Sequence, residues 1–305
     1  MSDRYYAISD ESQITASRFR SIASVSLPVS VAASFNDRAS ECLEKSRVSE
    51  FKWHELKSAK RRFCAMRLID RVLDDLLAID GRIDVVVWDT QDSRHSVEHR
   101  DDDKNFERMY FHLHKTLMLR RPLEAEWHLR PDERFGIDWR TLQECLHSVG
   151  SWRKYYEQTL LAEEFSVAQF HVKSLKQVSS CDLPLCQVAD LFAGMAAYTR
   201  THGGMAVWWQ HCQAGQGELI DEATARRVSS ADRERLPVIC YFNERCKEKR
   251  LGVSLATHGY LFTPSPANPL NFWHYMPQHS SDQAPAKWRD GSRLPEGQGG
   301  DVNVT

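Results

Sequence analysis

The chain has 305 residues, 42% hydrophobic and 27% charged, a globular composition with room for one large core or two modest ones. Forty Lys and Arg against 42 Asp and Glu leave a formal charge of −2, so net charge argues neither for nor against nucleic acid and any basic surface must be local. No stretch reaches the roughly 18 apolar residues of a membrane span, and Arg4 and Asp10 interrupt the first apolar segment, which therefore does not read as a signal peptide.

In chain order, residues 4–9 and 19–27 read as short strands separated by a polar turn. A helix is expected over 30–47, and "EFKWHEL" (50–56) reads as a short third strand. A long helix is expected from Glu55 to Ala78, with Leu56, Phe63, Met66, Ile69, Val72, Leu73 and Leu76 at three- and four-residue steps and Gly81 just beyond. "IDVVVWD" (83–89) is a buried strand, 105–119 a helix and "LEAEWHLR" (123–130) an alternating strand. A helix over 139–160, a strand over 167–175 and a helix over 183–200, with Pro184 in its first turn, complete this part. Strands first, then strands alternating with helices, predict an α/β fold: a mixed β-sheet flanked by helices over residues 1–200. Residues 201–278, rich in aromatics and with a helix expected at 221–228, read as a C-terminal elaboration packed on the same core. Residues 279–305 read as a disordered tail by composition.

Eight cysteines occur without a C-x-x-C pair, which points to reduced thiols and a cytoplasmic location. Cys181 and Cys186 flank "DLPL", a weak zinc signal. His95 and His99 fall in a loop-like charged run, and His112 and His114 cannot share a helix face. No G-x-x-x-x-G-K, G-x-S-x-G or H-E-x-x-H pattern is present.

Four acids sit at the ends or in the middle of apolar elements. Asp10 ends the first strand, Asp89 ends "VVVW", Asp190 lies inside "LCQVADLFAGM" and Glu55 begins the long amphipathic helix. Each has an ordinary explanation: a strand reaching water, a narrow polar stripe, or an acid favoured by the helix dipole. Together they suggest more, because a buried carboxylate costs several kcal/mol unless paired or metal-bound. Carboxylates converging from separate elements form an all-oxygen site suited to Mg²⁺ or Mn²⁺. Such ions can activate water and stabilise a leaving oxygen in phosphodiester cleavage.

"SDES" on the first strand, "HELK" at a helix start, "VVWD" on a later strand and "PLCQVADLFAG" on a late helix together resemble the bacterial family designated domain of unknown function 3800, of the ribonuclease H-like superfamily. The resemblance spans residues 5–200. It implies a ribonuclease H-like mixed sheet whose first three strands are antiparallel. It also implies catalytic, metal-binding acids on the first strand, the first core helix, the fourth strand and a late helix, carried over onto Asp10, Glu55, Asp89 and Asp190. Gln13 stands where that family usually has Gly, and the helix at 30–47 interrupts the plain three-strand meander.

Three further residues are candidates for supporting roles. Lys57 could neutralise a scissile phosphate, Gln187 could orient a carboxylate or contact backbone, and Ser12 could hydrogen-bond Asp10; a solvated lysine, a helix-face amide and a turn serine are the plain alternatives. Glu11 should alternate away from Asp10. The basic runs at 57–62, 119–121, 171–176 and 244–250 could track a phosphate backbone if they share a face. Trp53, Trp88 and Trp127 read as core, with base stacking open to Trp53.

The expected function is thus a metal-dependent nuclease using Mg²⁺ or Mn²⁺ on RNA, DNA or a hybrid. One alternative is a catalytically silent ribonuclease H-like module that binds nucleic acid, or a protein through its aromatic C-terminal region. A minor one is a restriction-type nuclease using "EFK" (50–52) or "ELK" (55–57), which needs that segment on a strand.

Overall fold

The computed structural model describes residues 3–12, 17–92, 101–147, 170–213 and 228–276. The tail from 279, the second half of the helix expected at 139–160, nearly all of the one at 221–228, and His95 and His99 lie outside the described residues.

The fold is a mixed α/β structure built on a six-stranded sheet. Its strands are β1 (Arg4–Ser12), β2 (Phe19–Pro28), β3 (Arg82–Asp89), β4 (Glu126–Pro131), β5 (His171–Leu175) and β6 (Leu270–His274), in spatial order β5-β4-β1-β2-β3-β6. The first three strands are antiparallel, β4 and β5 run parallel to β1, and β6 runs parallel to β3. The helices are α1 (Val29–Ser46), α2 (Ala59–Arg71), α3 (Asp102–Met118), α4 (139–147), α5 (Pro184–Gln213) and α6 (Asp232–Glu248).

Strand alternation sorts side chains into two cores. Ile8, Ala23, Val25, Val85 and Val87 face α1, α2, α5 and α6, whereas Ala7, Ile22, Val86 and Trp88 face α3 and α4. Burial on both faces is why β3 reads as an unbroken apolar run. Each fully buried large side chain contributes about 1.5–3 kcal/mol relative to exposure.

Three expectations change. Residues 50–56 form no strand: an irregular segment leads to a single 3₁₀ turn, Trp53–Glu55. Phe51, Trp53 and Leu56 are nonetheless fully buried, and the Phe51 and Trp53 N–H groups donate to side chains of α5 instead of to a neighbouring strand. The helix expected from Glu55 starts only at Ala59, after an extended Ser58, and gives way at Arg71 to a π turn (Val72–Leu76) and a 3₁₀ turn. The late helix does not stop at 200 but continues to Gln213. The aromatics Phe242 and Phe272 of the C-terminal region lie in the core beside Phe192. Among the described residues no helix is long and apolar enough to cross a membrane.

Candidate active site at the carboxyl ends of β1 and β4

β1 reaches the C-terminal edge of the sheet at Asp10-Glu11-Ser12, three residues further than its apolar run suggests. Asp10 is on the Ile8 face, toward α5, and only 5% exposed. Its Oδ1 accepts the Glu11 N–H at 2.7 Å, while Oδ2 is buried with no hydrogen-bond partner. Asp190 projects from α5 and is equally buried; its Oδ2 accepts the Trp53 N–H at 2.5 Å. The third acid is Asp132, directly after β4, whose N–H donates to the Ser9 carbonyl at 2.8 Å and so sets it beside β1.

Lys52 joins these acids. Its Nζ lies 3.4 Å from Asp132 Oδ2, 3.8 Å from Asp10 Oδ2 and 3.5 Å from Glu50 Oε1, and Glu50 also accepts the Ser180 hydroxyl at 2.7 Å. α5 places this lysine: Gln187 Oε1 accepts the Phe51 N–H at 2.7 Å, Asp190 takes the Trp53 N–H, and Gln187 Nε2 donates to the Ser180 carbonyl at 2.7 Å. Gly194, four residues past Asp190, leaves the space that the Trp53 indole occupies.

The electrostatics follow from burial and crowding. Burial, then the charges of Asp190, Glu11 and Asp132, hold Asp10 well above the usual carboxylate range despite Lys52. Burial pushes Asp190 up to about 7, reinforced by Asp132 and Glu11 and opposed by the Trp53 N–H and Lys52. For Lys52, burial is outweighed by Asp10, Asp132, Asp190 and Glu50, so its ammonium stays charged with a pKa above the ordinary lysine value. Burial and the neighbouring acids together thus outweigh what one ammonium does to keep these carboxylates ionised.

Not every expected site residue is here. Glu55 is exposed, turned out by the 3₁₀ turn, and pairs with Arg61. Asp89 stands at the far end of β3. Asp10 pairs with Ala23 and Ala23 with Val85, so Asp89 lies four residues beyond that row, where Arg18 Nε and Nη2 hold it at 3.0 and 2.7 Å. Lys57 is exposed between the 3₁₀ turn and α2. Ser12 is buried opposite Ser21, one strand repeat past Asp10, and makes no hydrogen bond to it. Gln187 takes the backbone-contacting role. Glu11 faces the other core, as alternation requires, accepting from Tyr110 and from Arg134 at 2.8 Å.

Asp132, Lys52 and Glu50 were hidden. Asp132 follows the alternating strand within "RPDER", where flanking charge makes any acid look solvated. Glu50 and Lys52 are the "EFK" pair, but they reach the site from irregular backbone, not from the strand that a restriction-type reading needs. Several cations of the basic runs are taken up in ion pairs: Arg61 pairs with Glu55, Arg62 with Glu234, Arg121 with Asp80 and Arg245 with Asp70 and Asp74. Trp53, Trp88 and Trp127 are all core.

Among the described residues, no three His, Cys, Asp or Glu side chains already close on a common point as a metal cage; Lys52 stands between the carboxylates. The donor chemistry nevertheless fits a hard divalent ion, since every candidate ligand is a carboxylate oxygen and the buried Asp10 Oδ2 lacks a hydrogen-bond partner.

No family model matches the chain, and no solved structure matches it. Two archaeal proteins of Methanothermobacter thermautotrophicus do. The uncharacterized protein ORF2′ is 35% identical over 291 residues, covering 93% of this chain and 98% of the relative. The uncharacterized protein ORF2 is 33% identical over 290 residues, with the same coverage.

Proposed function

The chain belongs to the family of ORF2 and ORF2′, and from its own site we propose that it is a metal-dependent nuclease with a ribonuclease H-like core. One observation carries this reading: Asp10 on the first strand and Asp190 on a late helix, remote in sequence, share one buried site with a carboxylate oxygen that accepts no hydrogen bond. The antiparallel first three strands support it. So does Asp132, which supplies an acid at the fourth strand, where the resemblance implies one; Asp132 takes the place first given to Asp89.

Asp10, Asp132 and Asp190 would hold one or two Mg²⁺ or Mn²⁺ ions. When bound, such ions supply Lewis acidity and a water of lowered pKa for attack on phosphorus. The chain's own part is charge and order. Lys52 keeps a charged ammonium where a phosphate would meet the acids, and Gln187 with Asp190 fixes the backbone that carries it. Asp190 can release its proton near neutral pH, making room for a cation.

The test is a Mg²⁺/Mn²⁺ panel on RNA, DNA and hybrid substrates with Asp10→Asn as control. Metal-dependent cleavage lost in the variant supports the reading; no cleavage of any substrate removes it.

The position of Lys52 favours a second reading, in which an internal ammonium replaces the metal and the module only binds nucleic acid or, through its C-terminal region, a protein. Asp10→Asn and Asp190→Asn proteins that fold and keep their biological activity would decide for it.

A further inference from the structure

A cavity of about 640 Å³ opens beside this site on the same face of the sheet. Its floor is Tyr6 and Ile8 of β1 with Arg130 of β4, and its far wall is α1, including Ala33. Tyr6, Ile8 and Asp10 alternate along one strand face, so the cavity leads to the acids over roughly 13 Å at the usual strand rise. The two are also joined through backbone: Ile8 pairs with Arg130, and Asp132 bridges Val178, which lines the cavity.

We propose that this cavity receives the base and sugar of one unpaired nucleotide of the substrate, whose backbone continues to the Asp10–Asp190 site. The substrate class would then be single-stranded or frayed nucleic acid, not a continuous duplex. This rests on the nuclease reading.

The lining fits such a guest. The volume is in the range of small-molecule sites, about 300–1,000 Å³. Tyr6 offers a half-buried ring with the Arg130 guanidinium 5.3 Å from its centre, a pairing that stacks with any base. Two cations, Arg130 and Lys176, are matched by two exposed carboxylates, Glu133 and Asp182. A lining balanced in charge suits the uncharged part of a nucleotide, with acceptors for its amino and hydroxyl groups. Lys176 has no ion-pair partner among the described residues and sits at the rim, where a flanking phosphate would pass. A base inside a duplex is stacked on both sides and reaches such a cavity only by flipping out, at a cost of a few kcal/mol.

The experiment is fluorescence anisotropy with a labelled single-stranded oligonucleotide and a blunt hairpin duplex, in EDTA and in Ca²⁺, with no turnover required. The full chain is expected to bind the single strand at least about tenfold more tightly than the duplex. Ala33→Trp, which fills the cavity from an exposed helix position, is expected to erase that preference with the melting temperature unchanged. Tyr6→Ala is the second variant, expected to weaken single-strand binding about tenfold through one lost stack. Equal affinity for both forms, no binding of either, or indifference to both substitutions would overturn the proposal. Strand-selective binding without cleavage in Mg²⁺ or Mn²⁺ would remove the nuclease reading instead and leave the cavity's role standing.

Discussion

Asp10 and Glu11 are adjacent in sequence and equally hidden from water, yet they sit in opposite environments. Glu11 looks into the α3 core, where Tyr110 and Arg134 satisfy it, and Arg134 in turn reaches Asp103 at 3.2 Å and lies over the Phe106 ring. Asp10 looks toward α5, where its neighbours are other acids and one lysine, and its Oδ2 accepts no hydrogen bond, with the Lys52 ammonium 3.8 Å away. Burial does not tell these two carboxylates apart; completeness of pairing does. Glu11 is closed chemistry, and Asp10 is an open valence for a cation or a proton.

Several substitutions probe that contrast. If the proposed nuclease reading holds, the largest effect is expected from Asp10→Asn or Asp190→Asn on metal-dependent cleavage, a loss of about a thousandfold or more in kcat, because each would remove a charge that the proposal gives to the ion. Gel-based rates at saturating Mn²⁺ measure it, and a loss under tenfold would mean that Asp10 is as structural as Glu11. Next is Glu11→Ala, which takes away the buried carboxylate of Arg134, leaving the guanidinium only the half-exposed Asp103, and leaves the Tyr110 hydroxyl unpaired. It is expected to cost about 3–5 kcal/mol in denaturant unfolding, and a change under 1 kcal/mol would contradict the closed network.

The third prediction concerns pH. Asp190 binds its proton more tightly folded, near 7, than unfolded, near its ordinary value of 3.8. Between those values the native state holds more protons, so its contribution to stability, full below pH 3.8, drains away as pH rises through about 7. In EDTA the wild type should therefore lose stability from pH 5 to 8, and Asp10→Asn should raise the melting temperature at pH 8 by about 3 °C. Added Mn²⁺ should restore the wild type and leave the variant unmoved; scanning calorimetry at both pH values measures all of this. The smallest effects are expected at Glu55→Gln and Asp89→Asn, with rates within about twofold and stability within about 1 kcal/mol, since each acid is paired with an arginine away from the Asp10 site and Asp89→Asn keeps an oxygen for the Gln91 N–H.

The sheet and most helices were legible because their patterns are long and periodic. Asp10 and Asp190 were legible for another reason: an acid inside an otherwise apolar element is a local anomaly. Asp89 shows the limit. An acid closing a strand is visible in one dimension, but whether it meets Asp10 depends on register, and here it overshoots the row by four residues. Glu55 was misplaced because Leu56 continues the apolar spacing of α2 backward over a segment whose buried residues follow a different backbone. Asp132 carried no anomaly at all. Lys52 depends on two hydrogen bonds from α5 that no spacing within residues 50–57 encodes.

The last strand deserves a different description from an appendage. β3 would be the open margin of the sheet, a valine-rich ladder ready to recruit another chain's backbone. β6 occupies that margin, and the buried Asp84 is shared between Arg82 at 2.7 Å and Asn271 at 2.8 Å, riveting the late strand to the early one. The segment around residue 271, remote from Asp10 in sequence, thus covers the valine-rich strand and moves the margin of the sheet out to the short β6.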